Sequence, residues 1–159
     1  MIEIREATYA DIRAIAQVHV QADWETYSSL FGSEAHRIDS GESEQRWRHA
    51  LRLGDTLLVA TEKSEIVGLG HVGKNEIGTL YLLRPYQRRG IGKTLLLRLL
   101  TALNDRGVAE ARFDVVPANL NAIRFYKSLG ARPVGRRINS NSRGATEELV
   151  FAIATSPIR

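Results

Sequence analysis

The pattern that most constrains the fold is a leucine-rich segment between residues 92 and 106. Its leucines recur at the spacing of one helix face: Leu95, Leu96, Leu99, Leu100 and Leu103. This spacing predicts a helix with a wide apolar surface, which Gly107 should end. Strand-like segments at 77–83 and 111–116 flank the helix. A strand, a long helix and a second strand predict a crossover, so these two strands should run parallel.

The rest of the chain repeats this mixture of strand and helix patterns. Apolar and β-branched runs predict further strands over residues 2–5, 56–61, 65–72, 134–138 and 147–154. A capping box at Thr8 and Asp11 begins a helix that should end near Tyr27. Helical spacing predicts two further helices over 43–53 and 119–129. The polar segments 28–41 and 139–144 are predicted as loops.

These elements define the expected topology. The three central strands follow one another through short turns, so they should be antiparallel, whereas the crossover requires a parallel pair. The predicted fold class is therefore α/β (α+β), with a mixed central sheet of about seven strands and flanking helices in the order βααβββαβαββ. The length fits a single domain over residues 1–159.

The composition removes several classes of protein. The 159 residues include no cysteine, which excludes disulfide frameworks, cysteine zinc sites, iron–sulfur clusters and thiol nucleophiles. The four histidines lack the spacing of metal ligands, so we predict no metal site. Residues 1–6 lack the basic-then-apolar pattern of a signal peptide, and no apolar run approaches the roughly 20 residues of a membrane span. We therefore expect a cytoplasmic protein without a membrane partner.

Charge is distributed unevenly along the chain. The formal net charge is +4, yet residues 1–80 carry a net −5 and residues 81–159 a net +9. A basic half of this kind suggests an anionic partner, which could be nucleic acid, a membrane surface or a phosphorylated cofactor. Composition alone leaves these three open, together with a basic surface that binds nothing.

The segment from Leu80 to Thr94 carries the clearest chemistry. It reads as the end of a strand, a basic loop with Gly90 and Gly92, and the first turn of the leucine-rich helix. Free N–H groups and the helix dipole attract phosphate to such a turn, and glycines let the backbone approach an anion closely. Three cations accompany the glycines: Arg88, Arg89 and Lys93. The junction therefore predicts an anion site.

Two common phosphate-binding motifs do not fit this junction. The run Gly92-Lys93-Thr94 imitates the end of a P-loop, but the first glycine of that motif falls on Gln87. A dinucleotide fingerprint also fails, because its third glycine falls on Leu95. The pattern that does fit is [Q/R]xxGx[G/A], which spans Gln87 to Gly92.

With this motif the sequence resembles the GCN5-related N-acetyltransferase (GNAT) family. A second segment, from Asn119 to Ala131, is similar to the family's NxxAxxFYxxxG pattern. The predicted long helix lies between the two motifs, and the predicted order of elements is also that of the family. The resemblance thus covers essentially the whole chain, and it implies transfer of an acetyl group from acetyl-CoA to an amine.

The resemblance also implies where acetyl-CoA binds, in an opening between two central parallel strands. Main-chain groups of Leu80, Tyr81 and Leu82 should contact the pantetheine arm. The pyrophosphate should bind main-chain N–H groups along the loop: Arg88, Arg89, Gly90, Ile91, Gly92 and Lys93. Asn119 matches the asparagine that contacts the cofactor in the family, and by residue type it is also a good helix N-cap.

The catalytic residues follow from the same resemblance. Tyr126 matches the general acid, and a phenol with an ordinary pKa of about 10 can protonate the leaving thiolate at neutral pH. By spacing alone, Tyr126 would be a core aromatic. The general base stays open between Asp114, where some members carry a glutamate, and Glu76, at the start of the strand before the loop. His71 is a third candidate. The shorter Asp114 would need a bridging water.

The acceptor is not identified by the sequence. We expect an amine on a small molecule or a protein, attacked directly in a ternary complex, with no nucleic-acid partner; a homodimer stays open. In the family the first two helices and the last hairpin frame the acceptor, and here Trp24 and Tyr27 lie in the acidic half, which would suit a cationic amine. Two alternatives remain: a nucleic-acid-binding domain that uses the basic half, and an acyl-CoA sensor without catalysis.

Overall fold

The computed structural model describes residues 1–141 and 144–156 of the chain. The chain forms two compact units, Met1–Leu99 and Leu100–Arg159. The described residues contain seven strands and four α-helices, in the order that the sequence predicts. None of the helices in this described part is long and apolar enough to cross a membrane. The assignment of residues 1–159 to a single domain stays a prediction.

The first unit holds four strands and the helices that precede and follow them. The strands are β1 (Ile2–Glu6), β2 (Thr56–Glu62), β3 (Glu65–Gly73) and β4 (Glu76–Leu82). The helices are α1 (Ile12–Phe31), α2 (Ser40–Arg52) and α3 (Ile91–Asp105), the last of which continues into the second unit. Each strand pairs antiparallel with the next along the chain.

Two-residue turns connect the central strands. Lys63 and Ser64 join β2 to β3, and Lys74 and Asn75 join β3 to β4; all four have positive φ angles between 49° and 69°. Two consecutive left-handed residues are the signature of the turn whose twist matches that of the paired strands. The hairpins and their antiparallel direction are therefore confirmed, as the short turns predicted.

The core of the first unit lies where α1 and α2 pack on the sheet. Its buried side chains come from both helices and from β2 and β3: Ile12, Ile15, Val18, Trp47, Ala50, Leu57, Val59 and Leu69. Trp47 is completely buried. These positions repeat at the helical spacing in α1 and at every second residue in β2, so one face of each element supplies the core.

The second unit contains β5 (Glu110–Val115), α4 (Leu120–Ser128), β6 (Arg132–Asn141) and β7 (Gly144–Ala154). β7 pairs antiparallel with both β5 and β6. Asn119 caps α4, because its side-chain oxygen accepts a hydrogen bond of 3.2 Å from the N–H of Ala122. The rings of Phe113 and Phe151 stack with their centroids 5.9 Å apart and form part of the core.

Two predicted loops are wrong in extent. Ser28 and Ser29 belong to α1, since their hydroxyls donate to the carbonyls of Trp24 and Glu25 one turn earlier and are satisfied within the helix. The last hairpin is longer than predicted, with Asn139 paired to Thr146. Main-chain pairing holds this polar end of the ladder together without help from apolar side chains. Residues 142 and 143, at the predicted loop's centre, lie outside the described residues.

Candidate active site

The loop between β4 and α3 has the backbone of an anion site. A short 3-10 turn at Arg84–Tyr86 leads to Gln87, and then Arg88 and Gly90 adopt left-handed conformations, with φ angles of 60° and 81°. α3 begins at Ile91, and its first main-chain bond runs from the N–H of Thr94 to the carbonyl of Gly90. The N–H groups before Thr94 are therefore the unpaired donors of a helix N-terminus, where phosphate binds favourably.

The space around this loop suits a ligand. No atom lies within 4 Å of the position that a Cβ would take on Gly90, so the backbone there is open to approach. Arg88, Arg89 and Lys93 are exposed. Arg89 lies 3.5 Å from a carboxylate oxygen of Glu62, a weak contact that leaves its guanidinium able to bind an anion. The predicted pyrophosphate residues are thus brought together on one loop and one helix turn.

Gln87 has a function in the loop that the sequence reasoning did not assign. Its side-chain amide donates a hydrogen bond of 3.1 Å to the carbonyl of Leu82, at the end of β4. This bond closes the loop on the strand that precedes it. The signal was present in the sequence, because Gln87 is the first residue of the [Q/R]xxGx[G/A] motif.

The predicted pantetheine residues form the end of β4. Leu80, Tyr81 and Leu82 pair with Gly70, Leu69 and Gly68 of β3, respectively. A Cβ on Gly68 would lie 2.4 Å from Leu82, so the glycine makes room for that side chain. The Tyr81 hydroxyl donates a hydrogen bond of 2.9 Å to Asp23 of α1, whose side chain is buried.

A β-bulge in β4 decides which way Glu76 faces. His71 pairs with Thr79, but its neighbour Val72 pairs with Ile77, so Gly78 is an extra residue in β4. Without it, positions 76 and 79 would lie on opposite faces of the strand; with it, Glu76 lies on the same face as Thr79. Tyr81, two residues on from Thr79, shares this face and contacts α1. The bulge thus brings Glu76 to the α1 side of the first unit.

His71 lies on this same face of the sheet, where its ring contacts Asp55 and Trp47. Its Nε2 is 2.9 Å from a carboxylate oxygen of Asp55, and its ring meets the edge of the Trp47 ring at 5.3 Å. Nδ1 is buried, with no hydrogen-bond partner among the described residues, and points at Gly78. Burial lowers the pKa of His71, which outweighs the opposite effect of Asp55. The ring is therefore neutral at pH 7.

A second histidine, His19, belongs to a buried hydrogen-bond network that the sequence did not predict. His19 is buried in α1, and its Nδ1 lies 2.7 Å from the Ser43 hydroxyl and 3.2 Å from the indole nitrogen of Trp47. An indole N–H can only donate, so Nδ1 must accept and the ring proton belongs on Nε2. The spacing of residues in the sequence does not reveal this polar network, which ties α1 to α2.

Trp24 and Tyr27, expected from the sequence to pack on a cationic acceptor, make contacts within the chain instead. Arg37 places its guanidinium 4.4 Å from the centre of the Trp24 ring, so a cation of the chain itself already covers that indole. Tyr27 stacks on the partly exposed Phe31 one turn later, with centroids 6.1 Å apart. Trp24 is therefore not a free surface for a cationic amine in this structure.

In the second unit, Asp114 contacts two side chains of β6. Arg137 Nε lies 2.8 Å from Oδ1 as an ion pair, although this buried oxygen accepts no hydrogen bond among the described residues, and the Asn139 amide donates a hydrogen bond of 2.7 Å to Oδ2. Asn139 also donates to Glu148. Both partners lie on β6, the strand on the far side of β7 from β5. As a base, Asp114 would lose its ion pair with Arg137 on taking up the proton.

Tyr126 and Asn119 lie at the two ends of α4. The Tyr126 ring is partly buried and packs on Phe113, with ring centroids 4.3 Å apart, next to Asp114 in β5. This packing fixes the plane of the phenol. Asn119 uses its side-chain oxygen to cap the helix, as its residue type predicted, which leaves its amide N–H groups for another acceptor. The second unit therefore brings Asp114, Asn119 and Tyr126 to neighbouring elements.

Most basic residues of β6 are paired rather than collected into a patch. Arg132 contacts Glu110 at 2.6 Å, Arg136 contacts Glu147 at 3.3 Å, and Arg137 contacts Asp114. The carboxylate partners lie in the same half of the sequence and are already counted in its net +9, so the ion pairs separate these arginines without changing the net charge. Within residues 1–141 and 144–156, no group of three or more His, Asp or Glu side chains is arranged to hold a metal ion.

Comparison with known proteins gives the same assignment as the two motifs. An uncharacterized N-acetyltransferase of Bacillus subtilis (strain 168), YuaI, is 28% identical over 138 residues, which is 80% of this chain and 79% of that protein. The ribosomal protein bS18-alanine N-acetyltransferase of Escherichia coli (strain K12) is 36% identical over 73 residues, 45% of this chain and 49% of that protein.

The fold has a counterpart in a solved structure with acetyl-CoA. YncA of Salmonella typhimurium, described as a putative acetyltransferase with acetyl-CoA as its cofactor, superposes with a TM-score of 0.75 at 19% identity, covering 100% of this chain and 96% of that chain. The predicted fold class, with its mixed sheet and flanking helices, is thereby confirmed. The sequence profile of the acetyltransferase (GNAT) family matches residues 18–131. The chain therefore belongs to the GNAT acetyltransferase family.

Proposed function

We propose that the protein transfers the acetyl group of acetyl-CoA to an amine by direct attack in a ternary complex. The observation that carries this proposal is the loop from Gln87 to Lys93, whose left-handed residues open onto the N-terminus of α3. That backbone suits a pyrophosphate group. Because the chain belongs to the GNAT family, we assign this pyrophosphate to coenzyme A. In the reaction the amine nitrogen bonds to the acetyl carbon, the carbon–sulfur bond breaks, and the sulfur leaves as a thiolate.

Coenzyme A is proposed to bind along β4 and the loop that follows. The main chain of Leu80, Tyr81 and Leu82 contacts the pantetheine arm. The loop holds the pyrophosphate through N–H groups of the predicted residues: Arg88, Arg89, Gly90, Ile91, Gly92 and Lys93. The Asn119 amide contacts the cofactor while its oxygen caps α4. The three exposed cations of the loop add charge attraction, so binding should weaken as salt rises.

Tyr126 is proposed as the general acid and Glu76 as the general base. Phe113 holds the Tyr126 ring, which can give its proton to the thiolate. The bulge at Gly78 turns Glu76 to the α1 side of the first unit, where it would take the proton that the amine loses. Asp114 is the rival base, and it is less suited because it is paired with Arg137 and accepts a hydrogen bond from Asn139.

The acceptor is proposed to be a primary amine of a small molecule or of a protein. The bS18-alanine N-acetyltransferase acts on a protein amine, but the match to it spans less than half of this chain. The nucleic-acid alternative is weakened, because three arginines of β6 are held in ion pairs rather than gathered into a free basic patch. The acyl-CoA sensor is not favoured either, since Tyr126 and a candidate base are both present.

The experiment is a panel of amines and N-terminal peptides assayed with acetyl-CoA by release of free thiol. Coenzyme A binding is measured alongside by calorimetry. Tyr126→Phe should reduce turnover by about 10²-fold or more while changing coenzyme A affinity little, and Tyr9→Phe, an exposed tyrosine, serves as the matched control. Absence of coenzyme A binding would refute the proposed function, and unchanged turnover of Tyr126→Phe would remove Tyr126 from the acid role.

A further inference from the structure

Arg84, the second residue after β4, is held to α1 by three hydrogen bonds. Its guanidinium Nη2 donates to the carbonyl of Glu25 at 3.2 Å and to the hydroxyl of Ser29 at 3.1 Å. Its own main-chain N–H donates to the Glu25 carboxylate at 3.3 Å. Glu25 therefore binds Arg84 twice, once through its carbonyl and once through its side chain. We call Glu25, Ser29 and Arg84 the α1 clasp.

The α1 clasp lies on the surface, so it contributes little to global stability. Arg84 is exposed, and hydrogen bonds and ion contacts at such positions stabilise a fold only weakly. The Ser29 hydroxyl accepts from Arg84 and at the same time donates to the Glu25 carbonyl within α1, so Ser29 already has a bond in its own helix. Global stability alone therefore does not explain why three hydrogen bonds converge on Arg84.

The position of the clasp points to the loop instead. Arg84 begins the short 3-10 turn that leads to Gln87, and Gln87 is bonded back to the end of β4. These two attachments bracket the turn immediately before Arg88, which has an unfavourable left-handed backbone. A loop fixed at both sides of the turn loses less conformational freedom when an anion binds, and therefore binds more tightly.

We propose that Glu25 is a positioning residue for coenzyme A: through Arg84 it holds the turn before the pyrophosphate loop in its binding conformation. This inference rests on the proposed function, because coenzyme A is the anion that the loop would bind. In this proposal, Arg84 links the second half of α1 to the loop that binds the cofactor. A change in α1 at Glu25 should then alter cofactor affinity without touching the cofactor.

The test uses coenzyme A itself, measured by calorimetry on the full chain, so no acceptor is needed. Glu25→Ala is the decisive variant. It removes the side-chain acceptor of the Arg84 N–H and leaves the main-chain carbonyl in place, so charge and position predict opposite results. Removing a negative charge near an anion site strengthens binding if only charge matters. Loss of the side-chain bond of the α1 clasp weakens binding, by about three- to tenfold for one ordered segment. Glu34→Ala, at an exposed glutamate beyond the end of α1, is the matched control.

Arg84→Lys gives a second, independent result. Lysine keeps the positive charge but lacks Nη2, the nitrogen that donates to both the Glu25 carbonyl and the Ser29 hydroxyl, and its flexible stem holds that geometry less well. The proposal expects weaker coenzyme A binding for Arg84→Lys and no change for Arg48→Lys on the exposed surface of α2. Melting temperatures should stay close to that of the unaltered protein, which separates positioning from unfolding.

Each outcome is decisive. Weaker binding in both Glu25→Ala and Arg84→Lys supports the proposal. Equal or tighter binding in Glu25→Ala overturns it, even if Arg84→Lys binds less well, because the arginine would then act by direct contact with the ligand. If the unaltered protein does not bind coenzyme A, the proposed function itself fails, and that result is distinct from the failure of the clasp.

Discussion

His71 and Asp55 are joined by a contact of 2.9 Å between the imidazole Nε2 and a carboxylate oxygen, yet burial lowers the pKa of the histidine from its usual 6.5. Burial is the largest influence, and the field of Asp55 opposes it only in part. The imidazole therefore resists protonation in the fold more strongly than in the unfolded chain. This difference makes the stability of the first unit depend on pH.

Acid should destabilise the protein through His71. Because the folded pKa lies below the unfolded one, the contribution of His71 is fully present above about pH 6.5 and is lost as the pH falls through the lower folded value. Urea unfolding should show that the free energy of unfolding of the unaltered protein falls between neutral pH and pH near 5. The fall should be smaller in His71→Gln. The exposed His49→Gln is the control. Equal acid losses in all three proteins would contradict the assignment.

Gly78→Ala should destabilise the protein through His71. A Cβ at this position would lie 2.7 Å from His71 Nδ1 and 3.3 Å from its Cε1, and the ring is held by Asp55 and Trp47. Overpacking of this kind costs about 1–3 kcal/mol. If the ring is the cause, the same substitution should cost much less in a His71→Ala background, which a double-mutant cycle by urea unfolding measures. Strict additivity of the two changes would contradict it.

The sequence predicted the order of elements well, because each rests on a local signal. The leucine spacing defined α3, and the two-residue turns defined the central hairpins. The limits of α1 were harder to predict, since Ser28 and Ser29 are usual loop residues and only their hydrogen bonds to the preceding turn show that the helix continues.

The sequence indicates the parts of the candidate site that lie within a short motif. It does not indicate contacts between residues far apart in the chain. The loop before α3 could be predicted from the six-residue motif Gln87 to Gly92. The face on which Glu76 lies could not, because it depends on how β3 pairs across the bulge at Gly78. The same holds for Arg84, whose partners Glu25 and Ser29 lie more than fifty positions earlier.

Arg5 and Asp11 provide a test of acid stability at lower pH. Arg5 donates two hydrogen bonds to the Asp11 carboxylate, at 2.8 and 2.9 Å, which lowers the pKa of Asp11 to about 2 from its usual 3.8. The stability from this pair should be present above pH 3.8 and lost as the pH falls through about 2. Arg5→Met should cost about 1–2 kcal/mol at neutral pH, because Arg5 is partly screened by solvent.

Urea unfolding of Arg5→Met against the unaltered protein at pH 7 and near pH 2 measures this effect. The gap between the two proteins should close in acid. Arg13→Met, another arginine near the start of α1, is the control for loss of a positive charge. A gap that is the same at both pH values would mean that the pair contributes through packing alone.

The two candidate bases should be separable by kinetics. Glu76→Gln removes the carboxylate that the bulge turns toward α1, so it should lower turnover by about 10²-fold or more and flatten the acidic limb of the pH–rate profile. Asp114→Asn should keep that limb, because Asp114 is engaged with Arg137 and Asn139. Its main effect should be on stability, since it leaves Arg137 without its charged partner. The reverse result, with the acidic limb lost in Asp114→Asn alone, would make Asp114 the base and would mean that β6 releases the carboxylate when the substrates bind.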